Sequence, residues 1–159
     1  MTTPIQLWLC AVFDPAHRCG GWAFVRPGAG AAGGERYSTA SRIALAGLAA
    51  GLRALPAGAA AVEVRTDSVE LAGFARLIAS LGRPVDQPPE DDLDLWAQIT
   101  SLSAGRRIGL VRAPRDAATP IGFAAAWAEL ARDKARASGA FTAAIPKANL
   151  AKVPGLSVG

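Results

Sequence analysis

The sequence has few of the residues that usually carry metal or nucleophilic chemistry. Its 159 residues include one histidine, His17, and two cysteines, Cys10 and Cys19. Two cysteines do not make a disulfide framework in a chain of this length. Together with the one histidine they are one ligand short of a closed zinc site. No metal site is expected from these three residues.

Long hydrophobic runs are also missing. The first apolar run, residues 5–13, is too short to cross a bilayer and is typical of a buried strand. The alanine-rich stretch from Ile43 is interrupted by Arg53 and Pro56. The N-terminus has no basic region of the kind that opens a secretion signal. The chain is therefore expected to be a soluble cytoplasmic protein with no membrane partner.

Aromatic residues make up only 6% of the chain, whereas hydrophobic residues make up 51%. This predicts one domain with a core of small and aliphatic side chains. The net charge is +4, and the four charged residues after Asp133 are all basic. The first 133 residues therefore balance at thirteen basic and thirteen acidic side chains. A basic C-terminal segment serves either solubility or contact with an acidic partner.

Hydrophobic periodicity and turn residues predict nine elements in the order β-β-β-α-β-α-α-β-α. The strands are expected at residues 5–13, 22–25, 35–38, 62–66 and 108–112. The glycine- and alanine-rich stretch 27–34 is expected to be a flexible turn.

Capping residues and apolar spacing predict four helices. The first starts at Ser38, Thr39 or Ser41 and runs to about Leu55, with an apolar face of leucines. The others are expected at about 68–81 with Asp67 or Ser68 as the cap, after the acidic stretch 90–92, and at about 120–137. The acidic stretch suits a helix N-terminus, where negative charge is favourable, and is not expected to hold a metal.

This order predicts an α/β fold with a mixed five-stranded sheet and helices on its faces. Residues 1–138 form the predicted domain, and residues 139–159 form a basic, proline-containing tail. The apolar side chains of the tail have two interpretations: an extended peptide along a partner, or a segment that packs on its own domain.

Several short motifs, taken in order, resemble type 1 ribonuclease H over roughly residues 5–137. The glycine pair before Trp22 resembles the family's glycine pair at the second strand. Residues 39–42 (Thr-Ala-Ser-Arg) resemble the start of its first helix, and residues 66–68 (Thr-Asp-Ser) match the end of its fourth strand. Residues 129–132 (Glu-Leu-Ala-Arg) resemble part of its last helix. The resemblance implies a ribonuclease-H-like fold.

The family cuts the RNA strand of RNA–DNA hybrids with two divalent metal ions held by four carboxylates. Carried over by motif, the four positions fall on Cys10, Ala44, Asp67 and Ala128, so the resemblance leaves only Asp67 as a family carboxylate. The family's catalytic-loop histidine has no counterpart in residues 113–120. This implies a degenerate domain that needs no cofactor, in which Cys10 is a buried, inert thiol and Asp67 serves only as a helix cap.

A rearranged active site is the alternative, and it would be a magnesium-dependent ribonuclease. Asp14 would replace the first-strand aspartate, although it is expected to be a turn residue before Pro15. Asp116 would enter from the loop before the last helix. Glu129 lies one helical step from the expected position, and a rotation of about 100° is expected to turn it away from the cluster.

An inactive domain of this kind has two possible partners. One is a nucleic-acid duplex, whose phosphates would be contacted by five arginines: Arg42, Arg106, Arg107, Arg112 and Arg115. The other is a protein assembly in which the domain is a scaffold or subunit. The sequence carries no signal for an oligomeric state.

Overall fold

The structure is a computed structural model that describes residues 3–116, 118–153 and 155–156. Its strands are β1 (Ile5–Asp14), β2 (Cys19–Arg26), β3 (Ala29–Arg36), β4 (Ala61–Thr66), β5 (Arg107–Arg112) and β6 (Phe141–Ala144). Its helices are α1 (Ala40–Arg53), α2 (Val69–Gly73), α3 (Ala75–Ala79), α4 (Leu93–Leu102), α5 (Pro120–Ser138) and α6 (Lys147–Leu150). The predicted α/β class and the order of its first elements are confirmed. No helix in the described ranges is long and apolar enough to cross a membrane.

The strands form one mixed sheet in the order β5-β4-β1-β2-β3-β6. The meander β1-β2-β3 is antiparallel, whereas β4 and β5 run parallel to β1. The prediction of five strands was therefore one too few. The sixth strand comes from the tail, where Ala144 pairs with Ala31 and Phe141 pairs with Gly34. It satisfies backbone groups that β3 would otherwise leave free at the sheet edge.

The prediction of a flexible turn at residues 27–34 was wrong, because most of this stretch is strand β3. Its small residues are required by close packing. A Cβ on Gly33 would lie 2.4 Å from the ring of Trp22, and one on Gly34 would lie 2.6 Å from the backbone oxygen of Ala131. Composition alone indicated a turn, but the glycines are there to let a ring and a helix approach the strand.

Two helical layers cover the sheet. On one face α1 buries Leu45, Leu48 and Leu52 of the predicted apolar face against Leu7 of β1 and its neighbours, and Leu55, just after the helix, is buried with them. On the other face α5 crosses β1, β2 and β3 with a row of alanines in place of larger side chains. A Cβ on Gly21 would lie 2.2 Å from the backbone oxygen of Ala128, so small residues on both partners bring this helix close to the sheet.

The single helix expected at about 68–81 is two short helices, α2 and α3, which meet at Phe74. The Phe74 ring packs edge-on against Trp96 of α4, with centroids 5.2 Å apart and planes at 90°. No proline interrupts this stretch, but Gly73, directly before the break, is a weak helix former and was the local sign of it.

The tail packs on its own domain. After β6, Ile145, Leu150, Val153 and Leu156 form a buried cluster with Val25. Three partly buried aromatic side chains lie against this cluster: Trp8, Phe123 and Trp127. The tail's apolar residues therefore pack on their own domain, which is the second of the two interpretations, and they complete its core.

Candidate functional site

The middle of β1 and the carboxyl end of β4 bring together Cys10 and Asp67, two of the residues that the family resemblance singled out. Leu9 of β1 pairs with Thr66 of β4. Cys10 follows Leu9 and Asp67 follows Thr66, so the two residues lie side by side. Cys10 is fully buried, and the Asp67 side chain is 15% exposed. Asp67 was expected to cap α2, but it does not. The cap is Ser68, whose hydroxyl accepts the hydrogen bond from the Leu71 backbone N–H.

The guanidinium of Arg115 lies in the middle of this site. Its Nε donates to Asp67 Oδ2 at 3.0 Å, and its Nη1 donates to Glu129 Oε1 at 3.0 Å. Its Nη2 lies 3.5 Å from Cys10 Sγ. One fixed cation therefore joins three elements: the end of β4, helix α5 and strand β1.

Parallel pairing of β4 and β5 positions Arg115. Thr66 pairs with Arg112, and the Ala113 backbone N–H donates to the Thr66 carbonyl at 2.8 Å. Arg115 follows within three residues and so reaches Asp67 from the neighbouring strand end. Arg115 was predicted as a phosphate contact, but in the structure two carboxylates already hold its charge.

The expectation that Glu129 turns away from the cluster was wrong. Glu129 is one step past Ala128 on α5, but its longer side chain reaches Arg115, which spans the gap to Asp67. Glu129 and Asp67 are joined through Arg115, which bonds to both. The contact is indirect, through a third side chain that motif comparison did not consider.

Cys10 is held as a neutral thiol. Burial, reinforced by the neighbouring Asp67 carboxylate, raises the pKa of Cys10 to about 12. The second oxygen of Asp67, Oδ1, is buried and accepts no hydrogen bond of good geometry from the described residues. The thiol is a poor ligand for magnesium in either protonation state.

The other two family positions lie in apolar packing. Ala44 of α1 is fully buried in the core, and Ala128 of α5 is fully buried beside Cys10 and Ala124. Among the described residues, no three histidine, cysteine, aspartate or glutamate side chains are grouped so that they would hold a metal ion. Two divalent ions need several free anionic oxygens, and here both carboxylates are already bonded to a guanidinium. This donor set does not fit the metal pair of the family.

The two remaining substitute ligands lie in turns of their own. Asp14 Oδ1 accepts from the Ala16 backbone N–H at 3.0 Å, and its Oδ2 pairs with His17 Nδ1 at 2.8 Å. The hydrogen bond from His17 lowers the pKa of Asp14. Asp116 Oδ1 accepts from the Ala118 backbone N–H at 2.9 Å. Each carboxylate closes a local turn, as was expected for Asp14.

The other arginines predicted to contact phosphate have different surroundings. Arg42 donates to Asp92 at 3.2 Å and to Asp94 at 2.7 Å, and its hydrogen bond lowers the pKa of Asp94 to about 2. Arg106 donates to four backbone carbonyls, among them those of Leu52 and Leu102, and so closes the ends of α1 and α4. Both guanidinium groups therefore already bond to other groups of the chain.

Arg107 and Arg112 are exposed at opposite ends of the edge strand β5. Neither makes an ion pair with another described residue. The structure therefore does not bring the five predicted arginines onto one surface.

Sequence reasoning missed a different basic surface, the Tyr37 patch, formed by Arg18, Arg36, Tyr37 and Arg136. Tyr37 is 77% exposed, and the Arg36 guanidinium lies 5.6 Å from its ring centroid. Arg36 Nη1 donates to the Arg136 carbonyl at 3.3 Å, and the Ser38 backbone N–H donates to the Arg18 carbonyl at 3.1 Å. Arg18 and Arg136 are distant in sequence from the adjacent Arg36 and Tyr37, so only the pairing of β2 with β3 and the path of α5 reveal the patch.

Solved structures with the same fold are ribonuclease H domains. The N-terminal RNase H domain of Rv2228c from Mycobacterium tuberculosis, solved as a fusion with maltose-binding protein, has a TM-score of 0.57 and 21% identity; the match covers 84% of this chain and 98% of that one. LC9-RNase H1, described as a type 1 RNase H with the type 2 active-site motif, has a TM-score of 0.57 and 18% identity, with 84% and 74% covered. RNase H1 from the halophilic archaeon Halobacterium salinarum NRC-1 has a TM-score of 0.54 and 20% identity, with 83% and 99% covered.

These similarities establish a type 1 ribonuclease-H-like fold for the chain. No protein-family model matches it, and no curated sequence does so either. At this level of identity the likeness defines the fold, and the activity has to be argued from the site itself.

Proposed function

We propose that the chain is a catalytically inactive ribonuclease-H-like domain that serves as a binding module for a protein partner. The observation that carries the first part is the Arg115 guanidinium bonded to Asp67 and Glu129. It supplies the positive charge between the two carboxylates. One of the two negative charges is therefore neutralised by the chain itself, without a divalent ion.

The charge balance supports this assignment. Asp67 and Glu129 contribute two negative charges and Arg115 one positive charge, with Cys10 neutral at physiological pH because its pKa is about 12. Two magnesium ions would bring four positive charges to the same place. Like charges about 4 Å apart repel strongly in a partly buried site, and here Arg115 would add to that repulsion.

A protein partner is favoured by the surface next to the site. Arg42, at the start of α1, is held by Asp92 and Asp94, and Glu35 lies 3.8 Å from its Nε. A polyanion approaching here would meet three carboxylates around one arginine. Phosphate binding needs basic groups that are free to neutralise phosphates and so displace the counterions of the nucleic acid, and this surface does not offer them.

Nucleic-acid binding is the second candidate, and the Tyr37 patch favours it. Its three arginines make no ion pair among the described residues, and its tyrosine offers an exposed ring to a base. Aromatic rings combined with arginine are how proteins stack single-stranded bases. Binding here would leave the degenerate site unused.

The test of inactivity is cleavage of a labelled RNA–DNA hybrid in Mg²⁺ or Mn²⁺ by the full chain and by Asp67→Asn. We expect no cutting by either protein. Metal-dependent cutting that is lost in Asp67→Asn would overturn the proposal and favour the rearranged site with Asp14, Asp116 and Glu129. Cutting that persists in Asp67→Asn would indicate a contaminating nuclease, and the assay would then be repeated after further purification.

The same hybrid, together with its separated strands, tests the second candidate by retention at low and high salt. Arg18→Gln combined with Arg36→Gln removes charge from the Tyr37 patch, and Arg107→Gln combined with Arg112→Gln is the matched control on β5. Retention that falls only in the first pair would establish nucleic-acid binding at the patch. Retention that falls only in the second would support the arginines predicted from sequence.

A further inference from the structure

A cleft of about 1050 Å³ opens between the start of α1, the α2–α3 pair and the loop before α4. We call it the acidic cleft. Its lining consists of Thr39, Ser41, Phe74, Leu77, Asp86, Gln87, Pro88, Pro89, Glu90, Asp91, Asp92 and Trp96. We propose that this cleft binds an extended, lysine- or arginine-rich segment of a partner protein. The inference rests on the proposed role as a protein-binding module and names the class of partner.

The charge of the cleft has one sign. Four of its lining residues are carboxylates, and none is basic. Asp92 pairs with Arg42 at 3.2 Å, whereas Asp86, Glu90 and Asp91 have no basic partner among the described residues. These three side chains lie on an exposed loop. At least three negative charges are thus available to a ligand.

The floor of the cleft is apolar. Phe74 and Trp96 meet edge to face with centroids 5.2 Å apart, and Leu77 of α3 lies beside them. Aliphatic stems of lysine and arginine pack well on such surfaces while their charged ends reach carboxylates. A carboxylate rim above an aromatic floor therefore suits a long basic side chain better than a small cation.

The loop that forms one wall of the acidic cleft has free backbone groups for an extended ligand. From Pro84 to Asp91 the described backbone makes no hydrogen bond within the chain, and three of these eight residues are prolines. Prolines remove N–H donors and restrict the backbone of the residues that precede them. The remaining carbonyls are free to accept hydrogen bonds from the backbone of a bound segment.

A second copy of the chain is a weaker match for the cleft. The basic surplus after Asp133 lies on α5, on α6 and beside it, all of which are packed on the domain. These residues are spread over folded elements and offer no extended basic segment. Self-association is therefore an outcome that the test must separate from peptide binding.

The experiment is fluorescence anisotropy of a labelled peptide of about ten residues, roughly 33 Å when extended, containing lysines and two leucines. The full chain is expected to bind it with a Kd of about 10 µM. Raising NaCl from about 50 to about 300 mM should weaken binding about tenfold, because exposed charges are screened. A peptide with glutamate in place of lysine should not bind, and one with glycine in place of leucine should bind several-fold more weakly.

The triple variant Asp86→Asn, Glu90→Gln and Asp91→Asn should weaken binding of the lysine peptide at least tenfold at low salt. These side chains are exposed on a loop, so the fold is expected to survive, which circular dichroism checks. Equal affinity of the triple variant and the unmodified chain would overturn the proposal.

A second triple variant, Ala57→Lys, Ala104→Lys and Ala137→Lys, shifts the net charge by the same amount at exposed positions outside the cleft. It should keep the affinity within about twofold at about 150 mM salt, where distant charges are screened. A loss as large as that of the cleft variant would show that net charge alone drives binding and would overturn the assignment to this cleft.

Two further outcomes also contradict the inference. Sedimentation that shows self-association abolished by the cleft variant would make a second copy the occupant. Preference of the cleft for the RNA–DNA hybrid over the peptide would make the partner a nucleic acid. Hybrid cleavage, in contrast, would refute catalytic inactivity and leave the peptide result to be judged separately.

Discussion

Replacing Arg115 by methionine tests whether the guanidinium holds the site together. The Asp67 side chain is only 15% exposed, so losing Arg115 leaves a mostly buried carboxylate without its cation. A hydrogen bond to such a charged group contributes about 2 kcal/mol. The bond to Glu129, which is 48% exposed, adds only about 0.5 kcal/mol. Because Arg115 itself is 43% exposed, solvent screens both bonds, and we expect a total loss of about 2 kcal/mol.

Urea unfolding of Arg115→Met and of the matching carboxylate variants measures this. A double-mutant cycle with Asp67→Asn should give a coupling energy of about 1.5 kcal/mol, and one with Glu129→Gln about 0.5 kcal/mol. The single variant should also melt roughly 4–8 °C lower. Coupling below about 0.3 kcal/mol in the Asp67 cycle would refute the account of Arg115 as the internal cation of the site.

Three other predictions concern packing, acid stability and thiol chemistry. Gly21→Ala should lower the free energy of unfolding by about 3 kcal/mol, because its Cβ would lie 2.2 Å from a backbone oxygen of α5, whereas Gly58→Ala, with open space around it, should change it little in the same urea titration. The pKa of Asp94, lowered to about 2 by Arg42, means that its contribution to stability is present above about pH 4 and lost as the pH falls toward 2; Asp94→Asn should flatten the stability curve in this window, and identical curves would contradict the pairing. Burial keeps Cys10 protonated, with its pKa raised to about 12, and both cysteines are buried; a thiol reagent at about pH 8 should therefore modify neither in the native chain and both after denaturation, and rapid native modification would contradict this.

The order of the elements could be predicted because caps, turns and hydrophobic spacing act locally. Thr39 caps α1 through the Arg42 backbone N–H, and Ser68 caps α2, both at positions that the sequence marked. Strand β3 was expected too late in the chain, at residues 35–38, because composition marks its glycine- and alanine-rich start as a turn. Those glycines are there for contacts with Trp22 on the neighbouring strand and with α5, which lies far away in sequence. Strand β6 was missed for a similar reason: its four residues are stable only when paired with β3.

The candidate site was predictable in position but not in content. Asp67 follows strand β4 and Cys10 lies in the middle of β1, as the sequence indicated, and the pairing of β4 with β1 brings the two residues together. The pairing of Arg115 with Asp67 and Glu129 was missed, because each residue was considered singly against a family position. Parallel pairing of β4 and β5 was a usable signal: it places whatever follows Arg112 beside whatever follows Thr66.

Arg115 and the three side chains it contacts, Cys10, Asp67 and Glu129, depend on one another. This limits which substitutions could produce a metal site here. Restoring a carboxylate by Cys10→Asp would add a third negative charge beside Asp67 and Glu129, with Arg115 as the single counterion. Removing Arg115 alone would leave two carboxylates, one of them mostly buried, and too few oxygens for two divalent ions. Either change alone lowers the stability of the fold, and no metal bound by the resulting site would offset that loss. The Arg115 bridge therefore does more than fill a vacant position: it makes the present arrangement of these side chains the stable one against single substitutions.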